Sequence, residues 1–198
     1  MAHYYSEYQD SIPRRHPIDI RVGPVAFSID SASGIFSARK LDRGTRALID
    51  NCIAEDGWNI LDLGCGYGPV GIALAKMYPE AKVMMSDVNR RAVKLAKENC
   101  KKLGLKNAQA LHSDGFEAIS RLFETILLNP PQRAGKEVCL KLIAGAKEHL
   151  KPGGLLQVVA RKNKGGNIIS GMMEESFGNV RPIAKEAGYW VYVSKNKS

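Results

Sequence analysis

The stretch LDLGCGYGPVG, residues 61–71, decides the fold of this chain. The run Asn59–Leu63 leads into it and is typical of a buried strand, and Pro69 suits the first position of a helix. The glycines between them allow a tight turn with positive φ angles. The last six residues fit the spacing G-x-G-x-x-G, and Asp87 follows about 20 residues later, as in nucleotide-binding folds. The pattern therefore predicts a strand, a glycine turn and a helix that hold a nucleotide-like ligand.

The rest of the chain alternates between strand-like and helix-like segments. Strands are predicted at 59–63, 82–86, 108–112, 125–128 and 155–160, and helices at 69–77, 89–103 and 136–150. Such alternation predicts an α/β fold with a doubly wound, mostly parallel sheet. Two further strands, 179–185 and 189–194, flank Glu186-Ala187-Gly188 and indicate an antiparallel hairpin that closes the sheet.

The residues before the glycine turn form an N-terminal extension. The segments 18–22 and 25–29 alternate apolar with polar residues around Gly23-Pro24 and predict a β-hairpin. A helix is predicted from its N-cap Asp42 to about Glu55. We therefore expect a single compact domain, in which an extension of residues 1–45 packs on a core of residues 46–198.

Composition limits the partners and the compartment. The 198 residues carry 29 Lys and Arg against 20 Asp and Glu, and the net charge of +9 favours phosphate-rich partners such as nucleic acid. The 4 cysteines and 4 histidines are scattered, so we expect no metal site and free thiols in a reducing cytoplasm. No apolar run approaches the roughly 20 residues that a membrane helix needs, and the polar N-terminus does not resemble a signal peptide. A cytoplasmic protein without metal or membrane anchor is expected.

Three acidic residues at successive strand ends indicate which ligand the glycine turn holds. Asp62 lies two residues before the first glycine, where it would repel the pyrophosphate of a dinucleotide. The same carboxylate would attract the ammonium group of S-adenosylmethionine, which carries no phosphate. Asp87 is placed to accept both ribose hydroxyls, and Asp114 could accept from the adenine amino group with Phe116 beside the ring. Because parallel strands end at one crevice, the acids favour S-adenosylmethionine over a nicotinamide or flavin nucleotide.

These residues resemble those of the class I S-adenosylmethionine-dependent methyltransferases, and over nearly its whole length the chain resembles the methyltransferase small family. That family includes small-subunit ribosomal RNA guanine-N2 methyltransferases. The resemblance is carried by residues 34–37, 41–45, 61–71, Asp87, Asp114, NPPQRAGKEV (129–138) and LKPGG (150–154). It implies a Rossmann-like sheet of seven strands with an antiparallel last strand, and it implies that Phe36, Leu41 and Thr45 wall the methionine end of the cofactor. The predicted cofactor-binding residues are Phe36, Thr45, Asp62, Gly64, Cys65, Gly66, Gly68, Asp87, Val88, Asp114, Gly115, Phe116 and Asn129.

The strand predicted at 125–128 ends in the corner Asn129-Pro130-Pro131. An exocyclic amine on a base is a poor nucleophile because its lone pair is delocalised into the ring. Two acceptors aimed at its two hydrogens would direct the lone pair at the cofactor methyl, and Asn129 Oδ1 with the Pro130 carbonyl would form such a pair. The prolines would hold the second acceptor rigidly, and no strong base would be required. Asn129, Pro130 and Pro131 are therefore the predicted catalytic residues, an assignment that the family resemblance also implies.

Gln132 departs from the pattern of related amine-directed enzymes, which usually carry an aromatic residue after the second proline. That ring stacks on the target base, whereas a glutamine can hydrogen-bond a base edge but stacks poorly. Either Phe36 or Tyr67 supplies the stacking ring instead, or the acceptor differs. Gln132, Arg133 and Lys136 follow the corner on the acceptor side and are the predicted substrate-binding residues.

The leading hypothesis is an RNA methyltransferase that modifies an exocyclic amine, with guanine N2 of ribosomal RNA as the favoured acceptor. Basic residues expected near the acceptor could bind the RNA backbone: Arg39, Lys40, Arg43, Arg161, Lys162 and Lys164. The basic helix that contains Arg90 and Lys102 is expected on the cofactor side, as a solvated face.

Three alternatives stay open at this point. The chain could methylate the side-chain amide of a protein glutamine, a reaction that uses the same Asn-Pro-Pro geometry, and adenine N6 in DNA or RNA is also possible. It could also be a non-catalytic subunit, although the intact acids and Asn129 argue against that. The expected partner is ribosomal RNA or a ribosomal assembly intermediate, and the expected state is a monomer or a weak dimer.

Overall fold

The computed structural model describes residues 14–33, 40–131 and 135–198 of the chain. Its strands are β1 (Arg15–Val22), β2 (Val25–Ala32), β3 (Asn59–Leu63), β4 (Lys82–Asp87), β5 (Ala108–His112), β6 (Phe123–Leu128), β7 (Leu150–Arg161), β8 (Arg181–Glu186) and β9 (Tyr189–Lys195). Its helices are α1 (Arg43–Asn51), α2 (Pro69–Met77), α3 (Arg90–Lys102), α4 (Lys136–Glu148) and α5 (Gly166–Phe177). A short 3₁₀ turn, Lys162–Lys164, links β7 to α5.

The central sheet has seven strands in the order β5-β4-β3-β6-β7-β9-β8. The strands from β3 to β7 pair in parallel, whereas β9 is antiparallel to both of its neighbours. The sheet confirms the predicted Rossmann-like fold with an antiparallel last strand. The strands that follow β3 extend the sheet in one direction, and β6 begins the extension in the other. The ends of β3 and β6 therefore flank the switch point at which open α/β sheets bind ligands.

Each face of the sheet has its own apolar core. On one face, the β1–β2 hairpin and helices α1 to α3 pack against residues that include Ile60, Met85 and Leu127. On the other face, α4 and α5 pack against residues that include Leu61 and Met84. Neighbouring residues such as Met84 and Met85 face opposite cores because side chains alternate along a strand. With both faces covered, the polar groups of a site have to lie at the strand ends.

Helix α1 is shorter than the sequence predicts. It ends at Asn51 rather than near Glu55, and Cys52 adopts an extended conformation. The side chain of Gln157, in β7, holds the backbone of Ile53 with two hydrogen bonds of 2.7 Å. A buried side chain of the sheet thus satisfies the backbone groups that a further helical turn would have paired.

Helix α5 and the start of β7 are absent from the sequence prediction. The sequence of α5, GNIISGMMEESF, combines glycine, serine and β-branched residues, which have low helix propensity. Packing stabilises the helix instead, because Ile169, Met173 and Phe177 are spaced four apart and buried in the second core. β7 begins at Leu150 rather than at residue 155, since Leu150 pairs with Phe123 ahead of a register shift.

The β1–β2 hairpin is confirmed, and Asn99 of α3 joins it to the core. The Asn99 side chain is buried, at 1% exposure. It accepts from the N–H of Asp30 at 2.9 Å and donates to the carbonyls of Asp30 and Tyr67 at 2.9 and 3.0 Å. One amide therefore connects the hairpin, helix α3 and the glycine turn.

Replacing Asn99 with alanine should lower the free energy of unfolding by about 2–4 kcal/mol, because one half-buried N–H and two carbonyls lose their partner. Urea titration at neutral pH measures the effect. Asn163→Ala is the matched control, since Asn163 is exposed in the 3₁₀ turn, and it should change stability by less than about 0.5 kcal/mol. Equal changes in the two variants would contradict the connecting role of Asn99.

Candidate active site

The turn between β3 and α2 presents bare backbone at the switch point. Gly64, Gly66 and Gly68 have φ angles of 72°, 57° and 90°, which favour glycine. The N–H groups of Gly64 and Cys65 donate to the Ser86 carbonyl in β4 at 2.8 and 2.9 Å. Gly64 is exposed, and apart from its chain neighbours no heavy atom of the described residues lies within 4 Å of where its Cβ would be. A ligand can therefore approach this backbone closely.

Asp62, in β3, is buried beneath this turn. Its Oδ2 accepts from the N–H of Gly71, in the first turn of α2, at 2.9 Å. The N-cap residue Gly68 has no side chain, so Asp62 caps the positive end of the helix from the neighbouring strand. Burial raises the pKa of Asp62 to about 7; the Gly71 hydrogen bond opposes this rise and the Asp87 carboxylate adds to it. Asp62 therefore changes its charge near neutral pH in the absence of a cationic neighbour.

Asp87, the last residue of β4, holds the other side of the turn. Its Oδ2 accepts from the N–H of Gly66 and its Oδ1 from the N–H of Asn89, both at 2.8 Å. The next residue, Val88, is fixed in turn, because its carbonyl accepts from His112 Nε2 at 3.0 Å. The carboxylate predicted to bind ribose and the residue after it are thus rigidly placed at the strand end.

The loop after β5 fits the adenine prediction in part. Asp114 is exposed, and Gly115 follows with a φ of 54°. Phe116 differs from the prediction, since its ring stacks on His149 with the ring centroids 4.3 Å apart. The carbonyl of His149 accepts from the N–H of Phe123, the first residue of β6. The stack therefore lies near the amino ends of the strands, away from the crevice at their carboxyl ends. The structure does not bring Phe116 into the crevice, because packing on α4 uses its ring.

Asn129 directly follows β6 and is held by two residues at the start of α1. Its Nδ2 donates to Thr45 Oγ1 at 3.0 Å and to Asp42 Oδ2 at 3.3 Å. Asp42 is the N-cap of α1, and the same Oδ2 accepts from the Thr45 N–H at 2.9 Å. With both amide hydrogens directed toward α1, Oδ1 has no donor among the described residues and is left to accept. Sequence reasoning identified Asp42 as a helix cap and missed its contact with Asn129.

The residues around the Asn-Pro-Pro corner differ in burial, and some lie outside the described residues. Pro130 is buried and Pro131 is half-buried, so the corner is anchored in the fold. Lys136, the first residue of α4, is exposed. Phe36, Gln132 and Arg133, which the sequence predicts to contact cofactor or substrate, lie outside the described residues.

Tyr67, in the glycine turn, does not supply the stacking ring that the sequence left open. The residue is 2% exposed and its ring belongs to the first core. Its hydroxyl is buried and has no hydrogen-bond partner within the described part of the chain. Burial, with a smaller effect from the Asp42 carboxylate, raises the pKa of this phenol. Tyr67 therefore brings an unpaired polar group to the side of the site where Asp42 and Asn129 meet.

Neither a metal site nor a membrane-spanning helix is found among the described residues. Within 14–33, 40–131 and 135–198, no three His, Cys, Asp or Glu side chains are grouped so that they could hold a metal ion. Over the same ranges, no helix is both long and apolar enough to cross a membrane.

Comparison with known proteins agrees with the geometry at the switch point. A family profile, the methyltransferase small domain, matches residues 26–193. The chain therefore belongs to the methyltransferase small domain family, and the class of protein that the fold and site define is an S-adenosylmethionine-dependent methyltransferase.

Relatives within this class include both characterised and uncharacterised proteins. The uncharacterised protein YbxB of Bacillus subtilis is 38% identical over 196 residues, 98% of each chain. Ribosomal RNA small subunit methyltransferase C of Pseudomonas syringae is 34% identical over 192 residues, which are 94% of this chain and 55% of that protein. The solved T. thermophilus 16S rRNA N2 G1207 methyltransferase, RsmC, in complex with AdoMet and guanosine, matches with a TM-score of 0.79 and 28% identity over 92% of this chain and 50% of that one. The chain thus spans about half the length of these rRNA methyltransferases.

The residues of the site fit S-adenosylmethionine. The exposed backbone of Gly64 allows close approach, and residues 61–71 contain no Lys or Arg that would favour a phosphate. The buried acids Asp62 and Asp87 favour a ligand with positive charge.

Asp62→Asn should change how stability depends on pH. A carboxyl group with a higher pKa in the folded than in the unfolded protein binds its proton more tightly when folded, so its ionisation destabilises the fold as pH rises from about 4 to about 7. With the Asp62 pKa at about 7, the wild type should lose roughly 2–3 kcal/mol of stability relative to the variant between pH 5 and pH 8. Urea unfolding at several pH values measures the difference. Parallel stability curves would mean that Asp62 titrates with its ordinary pKa.

Proposed function

We propose that this chain transfers a methyl group from S-adenosylmethionine to N2 of a guanine in small-subunit ribosomal RNA. A relative that is 34% identical over 94% of the chain is named ribosomal RNA small subunit methyltransferase C. The T. thermophilus N2 methyltransferase, which has the same fold, was solved with guanosine. The net charge of +9 suits an RNA partner. Since the chain spans about half of these enzymes, the proposal rests on the part that they share.

The fixed orientation of the Asn129 amide is the observation that carries the proposal. Asp42 and Thr45 accept the hydrogens of Nδ2, so the opposite atom, Oδ1, has no donor among the described residues and remains available as an acceptor. An aspartate in place of Asn129 would have no N–H groups to donate to Asp42 and Thr45. The arrangement thus favours a substrate that donates hydrogen bonds, as an exocyclic amine does.

The corner would activate the amine by position rather than by base catalysis. When bound, S-adenosylmethionine would supply a methyl group on a positively charged sulfur, and that sulfur would keep the electrons of the broken S–CH3 bond as a neutral thioether. Asn129 Oδ1 and the Pro130 carbonyl accept the two hydrogens of the amine and turn its lone pair out of conjugation with the base. The nitrogen becomes transiently cationic as it is methylated, and the two oxygens stabilise that charge until one proton leaves to solvent. The rigid proline backbone keeps the second oxygen aligned with the first.

We propose that the cofactor lies along the ends of β3, β4 and β5. Asp62 would face its ammonium group, Asp87 its ribose hydroxyls and Asp114 its adenine amino group. A positive charge beside Asp62 would favour the ionised carboxylate and lower the pKa that burial has raised. The remaining residues of the proposed cofactor site are Thr45, Gly64, Cys65, Gly66, Gly68, Val88 and Gly115.

We propose that Lys136 contacts the substrate. A lysine in the first turn of a helix opposes the helix dipole, so its position there has a cost that an anionic partner would offset. Lys136 is exposed and begins α4 just beyond the Asn-Pro-Pro corner. A phosphate next to the target nucleotide would meet both the lysine and the positive helix end.

Asn129→Ala should lower kcat by on the order of 10²–10³-fold, because one of the two amine acceptors is lost. S-Adenosylmethionine affinity, measured by calorimetry, should stay within about threefold of wild type, since this amide is aimed at the acceptor. A large loss of affinity with little loss of kcat would instead assign Asn129 to the cofactor.

Thr45→Val should lower kcat by roughly 10-fold, because it keeps the shape of the side chain but removes the hydroxyl that accepts from Asn129. The N-cap contact is retained, since Asp42 accepts from the backbone N–H of Thr45. Thr45→Ser is the matched control and should behave like wild type in single-turnover assays. Loss of cofactor affinity without loss of kcat in the valine variant would mean that Thr45 serves the cofactor alone and does not position Asn129.

Transfer of tritiated methyl groups to total RNA and total protein from cells that lack this protein tests the substrate. We expect label in small-subunit ribosomal RNA, and digestion to nucleosides should yield N2-methylguanosine. Label at adenine N6, or in protein glutamine alone, would show that the acceptor is that group and not guanine N2. Asn129→Ala protein serves as the control for labelling by contaminating enzymes.

A further inference from the structure

Two lysine side chains contact the ring of Trp190, which lies where β7 ends. The ammonium groups of Lys162 and Lys185 lie over the Trp190 ring, 4.3 and 4.4 Å from its centroid. Each contact is worth about 0.5–1 kcal/mol at an exposed site and restricts a side chain that would otherwise be mobile. The tryptophan therefore holds two positive charges in defined positions.

The strand register places this ring at the same edge as the Asn-Pro-Pro corner. Leu128, the last residue of β6, pairs with Val158 of β7. Two residues further along β7, Ala160 pairs with Trp190 of β9, and Trp190 pairs with Lys185 of β8. These positions form a row across the ends of β6, β7, β9 and β8, from the Asn-Pro-Pro corner to Lys185. Neighbouring strands lie about 4.8 Å apart, so the row spans about 14 Å. That length matches a few nucleotides of an RNA strand.

The row lies on the face of the sheet that α4 and α5 cover. Trp190 packs against the second core, together with Tyr192. The side chain of Asn129 points to the opposite face, toward Asp42 and Thr45. A strand of RNA bound along the row would therefore cross the sheet edge to bring one base to Asn129.

The charges near Trp190 are not balanced by acids. Residues 152–173 carry three basic residues, Arg161, Lys162 and Lys164, and no Asp or Glu. Arg161, Lys162, Lys164 and Lys185 are exposed, and within the described residues none of them forms an ion pair. Glu186 is the one acidic residue in β8 and β9, and it accepts a hydrogen bond from Asn51.

Holding these cations together has an electrostatic cost. The two ammonium groups over Trp190 lie within about 9 Å of each other, which is close to the screening length of about 8 Å at physiological salt. Like charges at this distance repel, and phosphates bound beside the two ammonium groups would offset that repulsion. The geometry is thus suited to a polyanion whose charges are spaced along a chain.

We infer that Trp190, Lys162 and Lys185, together with Arg161 and Lys164, form a Trp190 patch that binds the phosphate backbone of the RNA next to the target guanine. This inference rests on the proposed function and adds to it the surface that positions the substrate. The lysines bind phosphates as point charges, and the tryptophan keeps their side chains extended toward the RNA. The patch contributes to substrate affinity and leaves the chemistry at Asn129 unchanged.

The double variant Lys162→Gln/Lys185→Gln tests the patch. The probe is a single-stranded RNA that contains the guanine labelled in the transfer experiment, and the affinity of the variant for it should fall roughly 10-fold at 0.1 M salt. Because two phosphate contacts are lost, the plot of the logarithm of the binding constant against the logarithm of salt concentration should become less steep by about 1.4. KM for RNA should rise by a similar factor, while kcat at saturating RNA and S-adenosylmethionine affinity stay at wild-type values. Trp190→Leu should show part of this loss, and Trp190→Phe should restore most of it.

The matched control is Lys94→Gln/Lys101→Gln, which removes the same charge from exposed positions of α3, at the other end of the sheet. Equal losses in the two double variants would overturn the patch and assign RNA binding to net charge. A Lys162→Gln/Lys185→Gln variant that binds and methylates RNA like wild type would overturn the patch while the proposed function stands. A wild-type protein that binds no RNA and methylates protein would overturn both.

Discussion

Two buried carboxylates hold the glycine turn by accepting its backbone N–H groups, and the site is built on this contact. Asp62 accepts from Gly71 and Asp87 accepts from Gly66. Packing leaves no room for change, since a Cβ on Gly71 would lie 2.4 Å from Met85 Cγ. Because the acids are close and desolvated, the pKa of Asp62 is raised and a cationic ligand is favoured. The groups that shape the turn are thus also the ones that we propose contact the cofactor.

A second shared carboxylate, Asp42, connects the start of α1 to the end of β6. It caps the helix through the Thr45 N–H and accepts from the Asn129 amide with the same oxygen. The orientation of the proposed catalytic amide is therefore tied to the position of a helix in the first core. Strand order makes this possible, because β3 and β6 are neighbours whose ends flank one crevice. The proposed cofactor and acceptor groups therefore lie at the ends of adjacent strands.

Elements with local signals were predictable from the sequence. The glycine turn, the strands from β3 to β6 and both hairpins follow from glycine and proline positions and from apolar runs that a short window contains. The end of α1 was not predictable, because Gln157 fixes the Ile53 backbone from 104 residues away. Helix α5 has weak propensity and depends on burial of Ile169, Met173 and Phe177. In each failure, a distant contact outweighed the local preference.

For the site, the sequence by itself determined the class of cofactor and the location of the Asn-Pro-Pro corner. Glycines, prolines and acids act through their own backbone geometry and charge, so their spacing is informative without a partner. Tertiary structure decided which atom of Asn129 is free to accept, since its partners Asp42 and Thr45 lie 87 and 84 residues away. It also decided that Phe116 stacks on His149 and that Trp190 holds two lysines. Side-chain directions of this kind depend on strand order and register, which a local pattern does not encode.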